Sequence, residues 1–270
     1  MQTASYRHYS GNSAEDYERY FVPAIGGPVS VELLRAAALR QGERVLDVGC
    51  GTGIVARQAA VGVGVTGAVT GLDVANDMIA VARAQPPLPG ASIVWRQGDA
   101  TSLPFADGSF DVALCQMSLM FVEDRVGAIR EMHRVLSDHG RVVVSTPGLI
   151  QPTFELMEQA IVDHISPSLA GFVRMVFSMH DPAILEALLR DGGFVDVEST
   201  VYTATLDLPP PAEFLWQYIN LTPMARFVVE SPRAAQDAME AQVVETWQPH
   251  MRGGRTPVDQ PMVLVTGARP

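Results

Sequence analysis

An α/β fold, a mostly parallel sheet with helices on both faces, follows from three features of the sequence. Between residues 44 and 146, short valine-rich runs (RVLDV, AVTGLDV, SIVWRQ, DVALC, RVVVST) alternate with stretches of helical spacing at 54–61, 75–84 and 123–136. Runs that are continuously apolar, divided by helices, indicate parallel strands covered on both faces. The first run leads directly into a glycine-rich turn, VLDVGCGTG at 45–53, from which a helix opens at Ile54. With 270 residues, 47% of them hydrophobic and 18% charged, the chain can bury one sizeable core, and a single elaborated domain is favoured.

The elements follow in order. Residues 1–40 read as an N-terminal helical lid, in which Tyr17 and Tyr20, three apart, would share a helix face. Residues 41–146 form the core; in its last helix Val126, Ile129, Val135 and Leu136 leave an apolar stripe that packs on the sheet. Residues 147–180 read as a cap insertion. The core resumes at 181–206: Asp181 caps a helix at 182–190 with proline in first position, Gly192 and Gly193 end it, and FVDVESTV at 194–201 is a strand. Pro209, Pro210 and Pro211 mark a boundary, 207–260 is a second helical cap insertion, and 261–270 holds the final strand. The cap segments are rich in methionine and aromatic residues with helical spacing, and would cover the sheet edge where open α/β folds bind ligands.

Composition removes several classes. With 19 basic and 30 acidic residues the formal charge is −11, which disfavours nucleic acid as the main partner. All the basic residues are arginine, so lysine Schiff-base chemistry and a P-loop are excluded. Two cysteines, Cys50 and Cys115, make neither a disulfide framework nor a four-thiolate zinc site. The N-terminus is polar and no apolar run reaches the roughly 18 residues of a membrane helix, so a cytoplasmic protein without a membrane span is expected.

Glycines at 49, 51 and 53 allow close backbone approach to a ligand at a helix N-terminus. Two departures speak against NAD: the dinucleotide fingerprint wants a third glycine where Ile54 stands, and Asp47 would lie near a pyrophosphate. An acid just before the turn suits a ligand that carries a cation there, such as an α-amino group or a sulfonium. Together with GLDVANDMI (71–79), GDATSLPFADGSFDVALC (98–115) and RVLSDHGRVVVST (134–146), the turn resembles the class I S-adenosylmethionine (SAM)-dependent methyltransferases, specifically the small-molecule type 11 group that includes quinone C-methyltransferases.

The resemblance implies a Rossmann-like, seven-stranded, mostly parallel sheet and SAM as cofactor, with S-adenosylhomocysteine as product. It implies that Asp73, with Val74 beside it, accepts the ribose hydroxyls, and that Asp99 and the Ala100 N–H meet the adenine. Met78 would pack on the adenine. Asp47, Gly49, Cys50 and Gly51 would form the methionine side of the site, with Cys115 packing beneath and Gln116 holding the cofactor's carboxylate or amine. Asp73 as a helix cap, Asp99 as a turn cap and Asp47 as a holder of the turn's N–H groups are the structural alternatives.

After the fourth strand the sequence reads CQMSL, without the D/N-P-P-Y/F of base-methylating enzymes; nor is a paired-glutamate loop or a magnesium site evident. The expected reaction is metal-independent, in-line methyl transfer to an O, C or N atom of a small, largely apolar quinone, phenol or natural-product-like molecule. If a base is needed, the candidates are His8, Tyr17, Tyr20 and His180 in the lid and cap; His133 and His139 are read as structural. A homodimer is left open. Two other classes fit the same binding residues: a SAM-binding enzyme that moves no methyl group, and a SAM-binding regulatory protein without turnover.

Overall fold

A computed structural model of the protein describes residues 13–270. The described chain begins with α1 (Ser13–Asp16), widens into ten π-helical residues, Tyr17–Gly26, and narrows again to α2 (Gly27–Ala37). Pro23 lies inside the wide stretch. Its ring crowds the carbonyl four residues back, and the wider turn moves that carbonyl away from it.

The core then alternates strand and helix: β1 (Arg44–Val48), α3 (Ile54–Val63), β2 (Ala68–Asp73), α4 (Asn76–Ala84), β3 (Ser92–Gln97), β4 (Phe110–Gln116), α5 (Arg125–Val135) and β5 (Leu136–Pro147). After it come α6 (Pro152–His164), α7 (Ala170–Val176), α8 (Pro182–Asp191), β6 (Val195–Leu208), α9 (Pro211–Asn220), α10 (Met224–Glu230), α11 (Arg233–Trp247) and β7 (Thr256–Ala268). The seven strands form one sheet in the order β3-β2-β1-β4-β5-β7-β6. β1 to β5 pair in parallel, and β7 runs antiparallel to both β5 and β6. The strand order reverses between β1 and β4, the switch point at which an open α/β sheet leaves a crevice at its carboxyl edge.

Alternate residues of the central strands feed two cores. Val45, Val112, Leu114 and Val143 face α2 and α3, while Leu46, Ala113, Val142 and Val144 face α5 and α8. Asp181 caps α8 as its sequence requires, accepting from the Ala183 N–H at 2.9 Å. A third apolar cluster joins α6, α9 and α11 over the outer halves of β6 and β7.

Those outer halves correct the sequence reading, which ended β6 at 201 and began β7 at 261. The ladder continues from Tyr202↔Met262 to Leu208↔Thr256, with Ala204, Leu206 and Leu208 buried at a period of two. Pro257 and Pro261 concealed it, because proline argues against a central strand. Beyond Met262↔Pro147, β7 pairs with β6 alone, so a missing N–H there breaks no ladder bond on the other side.

One cross-strand contact supports the glycine turn. Trp95 of β3 lies opposite Gly71 of β2. A Cβ on Gly71 would come within 2.5 Å of the Trp95 ring and 3.1 Å of Cys50 Sγ, and a Cβ on Gly53 would also overlap the ring. Gly71→Ala should therefore destabilise the fold by about 1–3 kcal/mol, read from the denaturation midpoint. Adding Trp95→Leu should recover part of that loss.

Candidate active site

A cavity of about 420 Å³ opens at the carboxyl edge, bounded by Gly49, by Leu72 to Val74 after β2, by Gly98 to Thr101 after β3, and by Ser118 and Phe121 to Asp124 after β4. The turn that walls it is tied to β2: the Gly49 and Cys50 N–H groups both donate to Leu72 O, at 2.8 and 3.0 Å. Gly49 has φ +69°, and a Cβ there would overlap Ser118, so backbone approaches side chain with no space for a larger residue.

The three strand-end carboxylates, Asp73, Asp99 and Asp47, are in different states. Asp73 is half-buried; its Oδ2 accepts from the Gly51 N–H at 2.8 Å and its Oδ1 from the Ala75 N–H at 2.9 Å. Burial raises its pKa, against those hydrogen bonds. With a further backbone hydrogen bond from Val74, the carboxylate still retains acceptor capacity for a ligand hydroxyl. Asp99 is exposed, and its Oδ1 takes both the N–H and the hydroxyl of Thr101 at 2.8 Å; these bonds lower its pKa. Oδ2 of Asp99 takes no hydrogen bond from the described residues. Asp47 lies between Gly71 and Leu114 in the sheet and is 1% exposed. Burial, with Asp73 nearby, pushes its carboxyl up to about 7, against a backbone hydrogen bond from Ala56. Its Oδ2 has no partner among the described residues.

The remaining sequence candidates separate. Val74, 68% exposed, and Ala100 line the cavity. Met78, on the first turn of α4, does not. Gln116 is a tie as much as a ligand: its Nε2 donates to Gly26 O at 2.9 Å, fastening β4 to the N-terminal segment. Its Oε1 is buried without a partner among the described residues. By strand alternation it points to the same face as Asp47, so two unsatisfied acceptors sit on neighbouring strands. Cys50 and Cys115 are buried; burial, with Asp47 next, pushes the Cys115 thiol up to about 12, which leaves no thiolate nucleophile.

The base candidates fall in different places. His8 lies outside the described residues. The Tyr17 ring lies 3.6 Å from the position of a Cβ on Gly51, and burial together with Asp73, Glu18 and Asp47 holds its phenol above the ordinary value, the wrong direction for a base. Tyr20 does not share its face. In a π-helical turn it is i and i+4 that meet: Tyr17 stacks on Phe21 with ring centroids 4.6 Å apart, while Tyr20 lies against the exposed Arg19. The exposed His180 bonds Phe177 O through Nδ1 at 2.9 Å, in a groove with Glu155, Glu158 and Arg174, away from this cavity. His133 packs edge-on against Phe194 at 5.0 Å, remote from the carboxyl edge. Among the described residues no group of three or more His, Cys, Asp or Glu is placed to hold a metal ion.

A second cavity lies beneath the cap segments, whose methionine and aromatic content led to the expectation of an apolar pocket there. Phe21, Ile25, Val29, Met117, Pro147, Phe154, Val176, Phe177, Leu206, Tyr218, Gln260 and Met262 enclose an apolar space of about 40 Å³. Of the cap aromatics and methionines, Phe154 and Tyr218 line it, whereas Met157, Phe214, Trp216 and Met224 are core. Met117 marks the junction: it lines this cavity, its neighbour Ser118 lines the first, and its φ of +48° is strained for a side chain with a Cβ.

Comparison with known proteins bears on this geometry. Residues 46–144 match the family described as "Methyltransferase domain", type 11. The chain is 30% identical over 255 residues to the nocamycin O-methyltransferase of Saccharothrix syringae, covering 89% of this chain and 90% of that one. It is 32% identical over 173 residues to the demethylmenaquinone methyltransferase of Staphylococcus epidermidis, 59% of this chain and 70% of the relative. The crystal structure of YcgJ from Bacillus subtilis superposes with a TM-score of 0.57 at 20% identity, over 89% of this chain and 97% of that chain, a likeness of fold. Sheet order and sequence match together define a class I SAM-dependent methyltransferase. The chain belongs to the type 11 methyltransferase family, and SAM is its cofactor.

Asp73→Ala should weaken S-adenosylhomocysteine binding by about 2–4 kcal/mol, since charge-assisted acceptors are lost. In a calorimetric titration His133→Ala should bind like the wild type; equal binding by the two variants would remove Asp73 from the site.

Proposed function

We propose that this methyltransferase methylates a small, largely apolar acceptor held in the apolar cavity beside the cofactor site. The observation that carries the proposal is the junction at the end of β4, where Met117 lines the apolar cavity and Ser118 the cofactor cavity. SAM supplies a methyl group on a sulfonium, open to in-line displacement by a nucleophilic oxygen, carbon or nitrogen.

The residues suit the cofactor. Asp73 accepts the ribose hydroxyls through its remaining lone pairs, while Asp99 and the Ala100 N–H meet the adenine beside Val74. Asp47 Oδ2 and Gln116 Oε1 accept from the α-ammonium, a cation that gives both orphan oxygens their missing partner. Cys50 shapes the turn, and Cys115 packs below it.

At the acceptor cavity the described lining contains no carboxylate or imidazole, so the chain contributes alignment and exclusion of water there. A space of about 40 Å³ holds only a few waters, and an acceptor enters as the walls part. The π-helical stretch is the shared roof: Tyr17 covers the glycine turn, and Phe21, stacked on it, covers the apolar cavity. The relatives point the same way, one named for nocamycin and another for demethylmenaquinone.

Phe21→Ala should lower transfer of labelled methyl from SAM into organic-soluble product by at least about tenfold, assayed over a panel of phenols and hydroxyquinones. S-adenosylhomocysteine affinity should fall far less than transfer does, because Phe21 reaches the glycine turn only through Tyr17. Undiminished transfer in the variant, or wild-type binding of SAM with no transfer to any panel member, would contradict the proposal.

A further inference from the structure

The apolar cavity contains one hydrogen-bond acceptor that nothing in the described protein uses. Gln260, on the outer half of β7, lines it and is 3% exposed. Its Nε2 donates to two carbonyls, Leu149 O at 3.2 Å and Pro261 O at 2.7 Å. Both partners are acceptors, so the amide has one orientation that satisfies them. Oε1 is then left buried with no partner among the described residues. A buried carbonyl oxygen without a donor is costly in an apolar setting, and a ligand that brings a donor removes that cost.

Tyr218 of α9 is the other polar side chain in the lining. Its hydroxyl is the only side-chain donor in the lining besides the Gln260 amide. Burial, with Glu158 nearby, raises its pKa, so the group remains a neutral O–H that can donate. The other lining side chains are aliphatic, aromatic or thioether.

We infer that Gln260 and Tyr218 select acceptors that carry a neutral hydroxyl on an apolar body, the hydroxyl donating to Gln260 Oε1 and accepting from the Tyr218 O–H. The inference rests on the proposed role of this cavity and narrows its substrate class. A molecule with methyl in place of the hydroxyl leaves Gln260 Oε1 unpaired, the situation in which a site discriminates best. An anionic oxygen in the same place would meet the lone pairs of Oε1 with no proton between them.

The test uses the whole protein saturated with S-adenosylhomocysteine and two probes of one shape, 2-naphthol and 2-methylnaphthalene, titrated by fluorescence. The wild type should bind 2-naphthol at least about tenfold more tightly. Gln260→Leu and Tyr218→Phe should each bring that ratio towards one without changing S-adenosylhomocysteine affinity. Tyr218→Phe removes a single oxygen and keeps the ring in place, so it folds even if Gln260→Leu, which strands two carbonyls, does not. Equal binding of the probes by the wild type, binding of neither, or an unchanged ratio in Tyr218→Phe overturns the inference. Failure of the wild type to bind S-adenosylhomocysteine would overturn the functional proposal instead, a separate readout in the same titration.

Discussion

Asp47 lies in the middle of the sheet, between Gly71 of β2 and Leu114 of β4, with one carboxylate oxygen bonded to nothing among the described residues. A carboxylate in such a place either keeps its proton or acquires a cation, and much of the surrounding architecture follows from that constraint. The strand must end there, the backbone must turn away without a side chain at Gly49, and the neighbouring strand presents a second orphan acceptor, Gln116 Oε1, on the same face. In the ligand-free protein, burial holds the Asp47 carboxyl at about 7. The stability tied to that raised value is complete below about pH 4 and is lost as pH rises through the folded value. A bound ammonium would reverse the preference.

From this point the molecule divides its work between two cavities that meet at Met117 and Ser118. The first, at the carboxyl edge of the parallel strands, carries Asp73 and Asp99 in its wall. The second is apolar and built from elements added around the antiparallel pair β6 and β7, whose outer halves leave the parallel sheet and carry α6, α9 and α11. One N-terminal segment covers both, fastened to β4 by the Gln116–Gly26 bond and to α3 by the Arg57–Glu18 ion pair at 2.7 Å. A segment shared in this way can couple the closing of one cavity to the closing of the other.

The legible part of the sequence was the part whose pattern has a single physical meaning. Continuously apolar runs divided by helices meant a two-sided parallel sheet, and strand-end acids at Asp73 and Asp99 fell at the edge where the cavity opens. Elsewhere, two local rules misled. Pro257 and Pro261 argued against a strand because the rule presumes neighbours on both sides, and there β7 has one. Tyr17 and Tyr20 were placed on one face because the rule presumes 3.6 residues per turn, whereas Pro23 sits in a wider helix that pairs Tyr17 with Phe21. Gln260 carries no motif. Only the extended ladder, with Asp259 turned outward beside it, shows that a lone glutamine faces inward.

The proposed ammonium seat at Asp47 is tested most directly by the proton balance of cofactor binding. S-adenosylhomocysteine should be titrated calorimetrically at about pH 6 in two buffers of different ionisation enthalpy, with wild type and Asp47→Asn. A carboxyl protonated in the free protein and ionised against the ligand's ammonium predicts release of most of one proton per site in the wild type, and none from that source in Asp47→Asn. Binding with no buffer dependence in the wild type, or with the same proton release in both proteins, would contradict it.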